Sequence, residues 1–401
     1  MRAAVIITNN NKDLRMPRSF HPYHKKNVPS FKALFQPAMD SLADIPLLES
    51  RGNRPLKMDF EEHLRALVYY HLEEHSSCQH LLQVLKEDDF ARDVIAPKDG
   101  ISKSSFYEAN NSRGLDQFAA LFQQLQQKAA NILPRKYPKW GNLISIDGSL
   151  IDAVLSMYWA DYRKNYRKAK IHLGFDLNHG IPRKIFFTDG KGAERPFVSQ
   201  IIEPGQTGVL DRGYQCHEYF DQWQEEDKFF VCRIKASTYK KIIKTNQVDP
   251  KSMVFYDATV LLGSPCINQS KIPLRLVGYK VGGIKYWIAT NRFDLSAEQI
   301  AHIYKLRWDI EIFFSWWKRH LKVYHLIARS EHGLMVQIYA GLITYLLLAI
   351  YCHEQHGEKV TIARVRELRS KIINETRIYA HNEPNARDVK EHYNFQSYAK
   401  T

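Results

Sequence analysis

Two short apolar runs in this chain each end in an aspartate. Leu143-Ile-Ser-Ile-Asp147 is followed by Gly148, and Thr207-Gly-Val-Leu-Asp211 by Arg212 and Gly213. A carboxylate at a strand end, beside a glycine, faces a crevice that a ligand can approach closely. A third acid, Glu311, lies in the helical stretch from Tyr304 to Lys318. Arg307 precedes it by four residues, and Tyr304 and Lys318 lie seven residues to either side. That spacing puts all four on one face of a continuous helix. Carboxylates are the ligands of hard divalent cations. A pair of such cations supplies what breaking a phosphodiester needs: an activated nucleophile, neutralised charge at phosphorus and a stabilised leaving oxygen. Taken singly, an aspartate at a strand end is a turn residue and a glutamate on a helix is solvated. The weight rests on the three acids together with the basic residues beside them.

The elements that must position these residues are legible in outline. From Asn142 the pattern turns to strands: the run ending at Asp147, then 169–177 and 181–188 joined by Asn178-His179-Gly180. A helix-like stretch over 195–202, the run ending at Asp211, a helix over 214–223 and a strand over 229–234 follow. This order predicts an α/β domain with an RNase H-like mixed sheet over 140–236. Residues 237–293 read as a β-rich insertion, and 294–350 return to the catalytic domain on one helix over 296–320 capped by Ser296. Upstream, 1–50 read as a basic arm with little core of its own; residues 1–40 hold seven Lys/Arg against two acids. Residues 51–135 read as an α-helical DNA-binding domain. Within it Ser102 caps a helix displaying Lys103, Tyr107, Asn110 and Arg113, side chains suited to base edges and phosphates. The same face also reads as an ordinary solvated helix. Residues 351–401 form a helical region and tail.

Composition fits a nucleic-acid partner. The 401 residues carry a net charge of +14, an excess that suits a polyanion. Basic residues interleave with aromatics at Tyr162, Arg163, Lys164, Tyr166, Arg167, Lys168 and Lys170, and a second cluster holds Arg233, Lys235, Lys240, Lys241 and Lys244. The five cysteines are scattered with no CxxC pair, which argues against a disulfide framework and a cysteine zinc site. The apolar run over 333–351 is expected to be a buried helix rather than a membrane span. The expected setting is the cytoplasm of a prokaryote.

The stretch Tyr304-x2-Arg307-x3-Glu311-x6-Lys318, with Ile146-Asp147-Gly148-Ser149 and Leu210-Asp211-Arg212-Gly213-Tyr214 before it in order, resembles the insertion-sequence-four family of DDE transposases. The resemblance covers roughly residues 140–350. It implies an enzyme that binds the terminal inverted repeats of an insertion sequence, cuts the DNA and joins it to target DNA, working as a homodimer on double-stranded DNA. It implies Asp147, Asp211 and Glu311 as catalytic residues that hold two magnesium ions, with manganese able to substitute. Tyr304, Arg307 and Lys318 would contact phosphates near the cut, with Arg212 and Tyr214 also facing the DNA. Trp287 falls about where relatives stack a tryptophan on a flipped base; the alternative is a core tryptophan of the inserted segment. Two rivals are a DNA-binding remnant without catalysis and an RNase H-like nuclease without strand transfer. The three intact acids argue against the first, and Tyr304, Arg307 and Lys318 against the second.

Overall fold

Helices fill the first part of the chain: α1 (Ser30–Ser41), α2 (Phe60–Leu72), α3 (Cys78–Glu87), α4 (Lys103–Ser112) and α5 (Leu115–Ile132). The starts of α2, α3 and α4 follow from side chains that take up orphan N–H groups. Asp59 and Glu62 form a capping box on α2, with bonds of 2.8 and 2.9 Å. Ser77 caps α3 and Ser102 caps α4, as the sequence predicted for the latter. The computed structural model describes residues 30–50, 55–153, 156–163, 166–323 and 325–381. Most of the basic arm, residues 1–29, lies outside the described residues. The rest of it departs from expectation: Phe31, Leu34 and Phe35 of α1 are fully buried, with Phe31 edge-on to Tyr69 and Phe90.

Ten strands then form one sheet: β1 (Leu143–Asp152), β2 (Asp161–Arg163), β3 (Tyr166–Asp176), β4 (Ile181–Asp189), β5 (Thr207–Leu210), β6 (Phe229–Arg233), β7 (Lys240–Thr245), β8 (Val254–Leu262), β9 (Leu274–Val281) and β10 (Ile284–Thr290). The path runs β2-β3-β1-β5-β6-β10-β9-β8-β7, with β4 on β3. The five strands β4-β3-β1-β5-β6 have the order of an RNase H-like sheet, antiparallel at β3/β1 and parallel at β1/β5 and β5/β6. Residues 237–293 are β-rich as expected, yet they are not set apart. Their strands continue the same sheet through β10, which pairs antiparallel with β6.

Two short helices, α6 (Val198–Ile201) and α7 (His217–Glu225), cover one face of this sheet. The other face packs on α8 (Ala297–Lys305), α9 (Trp308–His320), α10 (Glu331–His356) and the N-terminal helices; α11 (Ile362–His381) closes the far side. The helix expected over 296–320 is therefore two, broken at Leu306 and Arg307. The predicted Ser296 cap is present and forms a capping box with Gln299. Helix α10 is long and apolar enough to cross a membrane, but 83% of its apolar window is buried inside the protein. It packs on α1, α2, α4 and α5 as a central core helix. The N-terminal helices thus share one core with the sheet domain rather than owning a separate one.

Candidate active site

The alternation along β1 decides where Asp147 points. Ile144 and Ile146 belong to the α6/α7 side, whereas Leu143 and Ile151 belong to the α9/α10 side. Odd-numbered residues therefore face α9, and Asp147 is one of them. It is not at a strand end, as the sequence suggested: β1 runs on to Asp152. What ends nearby is the pairing with β5, whose last partner on β1 is Ser145. Asp147 stands two residues beyond, where β1 and β5 part and open a crevice.

Helix α9 lies along this strand and is pinned at two points. The Ser145 hydroxyl donates to the Arg307 carbonyl at 3.4 Å, and the Lys318 ammonium donates to the Leu150 carbonyl at 2.7 Å. Five strand residues and eleven helical residues both span about 16 Å, so the two elements run in step. On that ruler Glu311 lies about 6 Å above Arg307 and Asp147 about 7 Å beyond Ser145, level with each other. Glu311 is ion-paired to Arg307.

Asp211 follows β5 directly. Its carboxylate accepts from the Gly213 N–H and so caps the turn Arg212–Tyr214. Asp147 and Asp211 face each other across the crevice closely enough to interact. Burial pushes the Asp147 carboxyl up to about 6; the Gly148 N–H at 2.9 Å and Arg307 pull it down, and Glu194 and Asp211 push it further up. Burial also lowers the Lys318 ammonium.

Several expected DNA contacts sit elsewhere than predicted. Tyr304 is buried on α8 beside Tyr286, so Tyr304, Arg307, Glu311 and Lys318 do not share one helix face. Tyr214 is buried and only Arg212 of that pair is exposed. Asn110 is buried against His63, and Arg113 is also inside, because the helix turns that face to the core. Lys103 stays at the surface over Tyr107, whose ring Arg329 also approaches at 5.8 Å. Trp287 is half-buried on β10, edge-on to Phe255 and Tyr256, with Lys240 4.3 Å above its ring. Of the basic cluster, Lys164 lies outside the described residues, Lys168 is paired with Asp152 and Lys170 with Glu194.

The sequence leaves Glu194, like Asp152, Asp189 and Asp309, as either a supporting acid of the site or a solvated one; it lies near Asp147. One feature escaped the sequence. Trp308 and Ile312, four apart, are 58% and 56% exposed on the outer side of the helix that carries Glu311. Only the packing of α9 on β1 reveals which side faces out.

Residues 141–347 match the family described as a transposase DDE domain. The chain belongs to the DDE-domain transposases. A Sinorhizobium fredii protein named as a transposase is 31% identical over 251 residues, which cover 61% of this chain and 69% of that one. A Geobacillus stearothermophilus protein named as a transposase for insertion sequence element IS5377 is 30% identical over 192 residues, covering 47% and 51%. The transposase for insertion sequence element IS231B from Bacillus thuringiensis subsp. berliner is 22% identical over 232 residues, covering 44% and 48%. The matched DDE domain runs from the approach to β1 into α10 and so contains all three acids.

Proposed function

We propose that this DDE transposase binds the terminal inverted repeats of an insertion sequence, cuts the DNA there and joins the freed 3′-hydroxyls to target DNA. The observation that carries the reading is Asp147. Its carboxyl is poorly solvated, faces Asp211 across a crevice of an RNase H-ordered sheet, and stands level with Glu311 on a pinned helix.

DDE transposase domains use divalent metal ions, and the donors here fit a hard cation in chemical type: carboxylate oxygens with burial and like charge to be relieved. Asp147, Asp211 and Glu311 would hold magnesium, two ions with manganese as a substitute. When bound, the metal would neutralise charge at phosphorus and make water or a 3′-hydroxyl a better nucleophile. Among the described residues no three such side chains are gathered on one point, and Glu311 is ion-paired to Arg307. A DNA phosphate offers Arg307 a bidentate partner in exchange. Arg307 then grips the strand to be cut and Glu311 is released toward Asp147. Lys318, held by the Leu150 carbonyl, fixes α9 and adds positive charge beside the strand. The surface formed by Lys103, Tyr107 and Arg329 supplies phosphate contacts from the helical part. Two copies bring two DNA ends together, as a homodimer, so that both are cut in one complex.

The test is excision from a supercoiled plasmid that carries the protein's own flanking DNA. Magnesium-dependent release of the flanked segment supports the reading. Binding of the ends with no cutting under any divalent cation sinks it and leaves a DNA-binding remnant.

A further inference from the structure

Gly148 follows Asp147 and faces the opposite side of β1, where it pairs with His172 on β3. A Cβ at this position would lie 2.6 Å from Glu194 Oε1 and 2.9 Å from Lys170 Cε. The missing side chain therefore makes room for an ion pair, Lys170 Nζ to Glu194 Oε1 at 2.6 Å, drawn against the backbone of β1. Lys170 also donates to the Gly192 carbonyl at 3.2 Å, which ties the pair to the loop that carries Glu194. Glu194 starts the short turn Arg195–Phe197 without capping it, so its carboxylate is free to reach inward.

The second aspartate is supported from the same place. Tyr214 ends the turn that Asp211 caps, and its N–H donates to the Asp211 carbonyl at 3.2 Å. The Tyr214 hydroxyl is buried beside Glu194, and burial together with the charges of Glu194, Asp147 and Asp211 holds it protonated. Next along the chain, Arg195 Nε donates to the Gly213 carbonyl at 2.9 Å and joins the Glu194 loop to the Asp211 turn.

We propose that Glu194 is a positioning residue of the acidic site: through Lys170 on the Gly148 side of β1, and through Tyr214 on the Asp211 turn, one carboxylate sets the spacing of Asp147 and Asp211. This rests on the reading of those aspartates as metal-holding residues. Glu194 need not touch the DNA or the reacting atoms; it fixes the two backbones on which the aspartates stand. Partners of this kind, bound to metal-holding groups rather than to the metal, are worth roughly 10- to 100-fold in affinity or rate.

The test compares full-length wild type, Glu194→Gln, Glu194→Ala and Tyr214→Phe. Three readouts are taken: single-turnover cutting of an end-bearing duplex in magnesium, affinity for that duplex, and Mn²⁺ affinity by electron paramagnetic resonance. Thermal melts by circular dichroism establish that each variant folds. Glu194→Ala is expected to cut about 10- to 100-fold more slowly with duplex affinity held within about threefold. Glu194→Gln, which keeps an acceptor for Lys170 and Tyr214, is expected to recover most of the rate and to bind Mn²⁺ as the wild type does. Tyr214→Phe is expected to lose rate in the same direction as Glu194→Ala, by less. Glu194→Gln as slow as Glu194→Ala, with Mn²⁺ affinity lost, would make Glu194 a metal ligand and overturn the positioning role. All variants cutting at the wild-type rate would reduce Glu194 to a surface ion pair. A wild type that neither cuts nor binds Mn²⁺ overturns the underlying reading as well, so the two failures are told apart.

Discussion

Replacing Asp257 by alanine should unfold the far half of the sheet first. Asp257 on β8 and Arg275 on β9 form a two-pronged pair, Nε to Oδ1 at 3.0 Å and Nη2 to Oδ2 at 2.8 Å. Their side chains are only 6% and 9% exposed. Arg275 also donates to the carbonyls of Arg292 and Leu295, which lead into the Ser296 cap of α8. The pair therefore joins strands β8 and β9 to the helices that carry Arg307 and Glu311. Removing the carboxylate strands a guanidinium in a dry seam, at a cost of about 3–5 kcal/mol. With a urea slope near 3 kcal/mol/M, the midpoint should fall by roughly 1 M or more. Asp257→Leu with Arg275→Met removes both charges, and what it recovers is limited by the two carbonyls it leaves without a donor, at about 1–3 kcal/mol each. Equilibrium urea unfolding, followed by circular dichroism, reads all three proteins. A single variant within about 1 kcal/mol of wild type would refute a closed, water-excluded pair.

Further outcomes follow from the same geometry. Arg307→Lys keeps the charge but loses the two-pronged grip, so cutting of an end-bearing duplex should drop by roughly tenfold or more with the fold intact; unchanged cutting would remove Arg307 from the phosphate contacts. Trp287→Ala should leave the first nick in place and slow second-strand cleavage, as read on denaturing gels; equal slowing of both would assign the ring to the core. Stability should fall as pH drops below about 6.5, because burial holds His63 near 3 and His71, His75 and His172 near 4 in the folded protein. Between about 6.5 and 4 the unfolded chain takes up protons that the folded one refuses, and each such group costs about 1.4 kcal/mol per pH unit. Asp147, raised to about 6, takes up a proton when folded and offsets one of the four. Melting temperatures flat from pH 7 to 4.5 would contradict this.

The three acids and the sheet that holds them were legible because each element announces itself locally. Leu143-Ile-Ser-Ile-Asp147 and Thr207-Gly-Val-Leu-Asp211 are apolar runs too short for helices, and the order of strands admits few sheets. The stretch from Tyr304 to Lys318 reads as one helix in the sequence and is two in the structure. No proline or glycine marks the break at Leu306, so the pattern looked like one helix until packing on β1 showed two. Residues 237–293 looked like an insertion because periodicity cannot say that β10 pairs with β6. The reading of Asn110 and Arg113 as outward-facing failed for a related reason: periodicity in a helix with few apolar residues does not say which face the tertiary packing buries. The sequence could not separate Glu194 from a solvated acid, because its place is set by a glycine 46 residues earlier.

The most direct test of the acidic site is to change the softness of one of its ligands. Asp211→Cys replaces a hard oxygen donor with a thiolate, which manganese tolerates better than magnesium. If Asp211 holds the metal, this variant should fail to cut end-bearing DNA in Mg²⁺ and regain cutting in Mn²⁺, while Asp211→Ala stays inactive in both. Wild-type cutting by Asp211→Cys in Mg²⁺, or equal inactivity of the cysteine and alanine variants in Mn²⁺ with DNA still bound, would contradict the assignment.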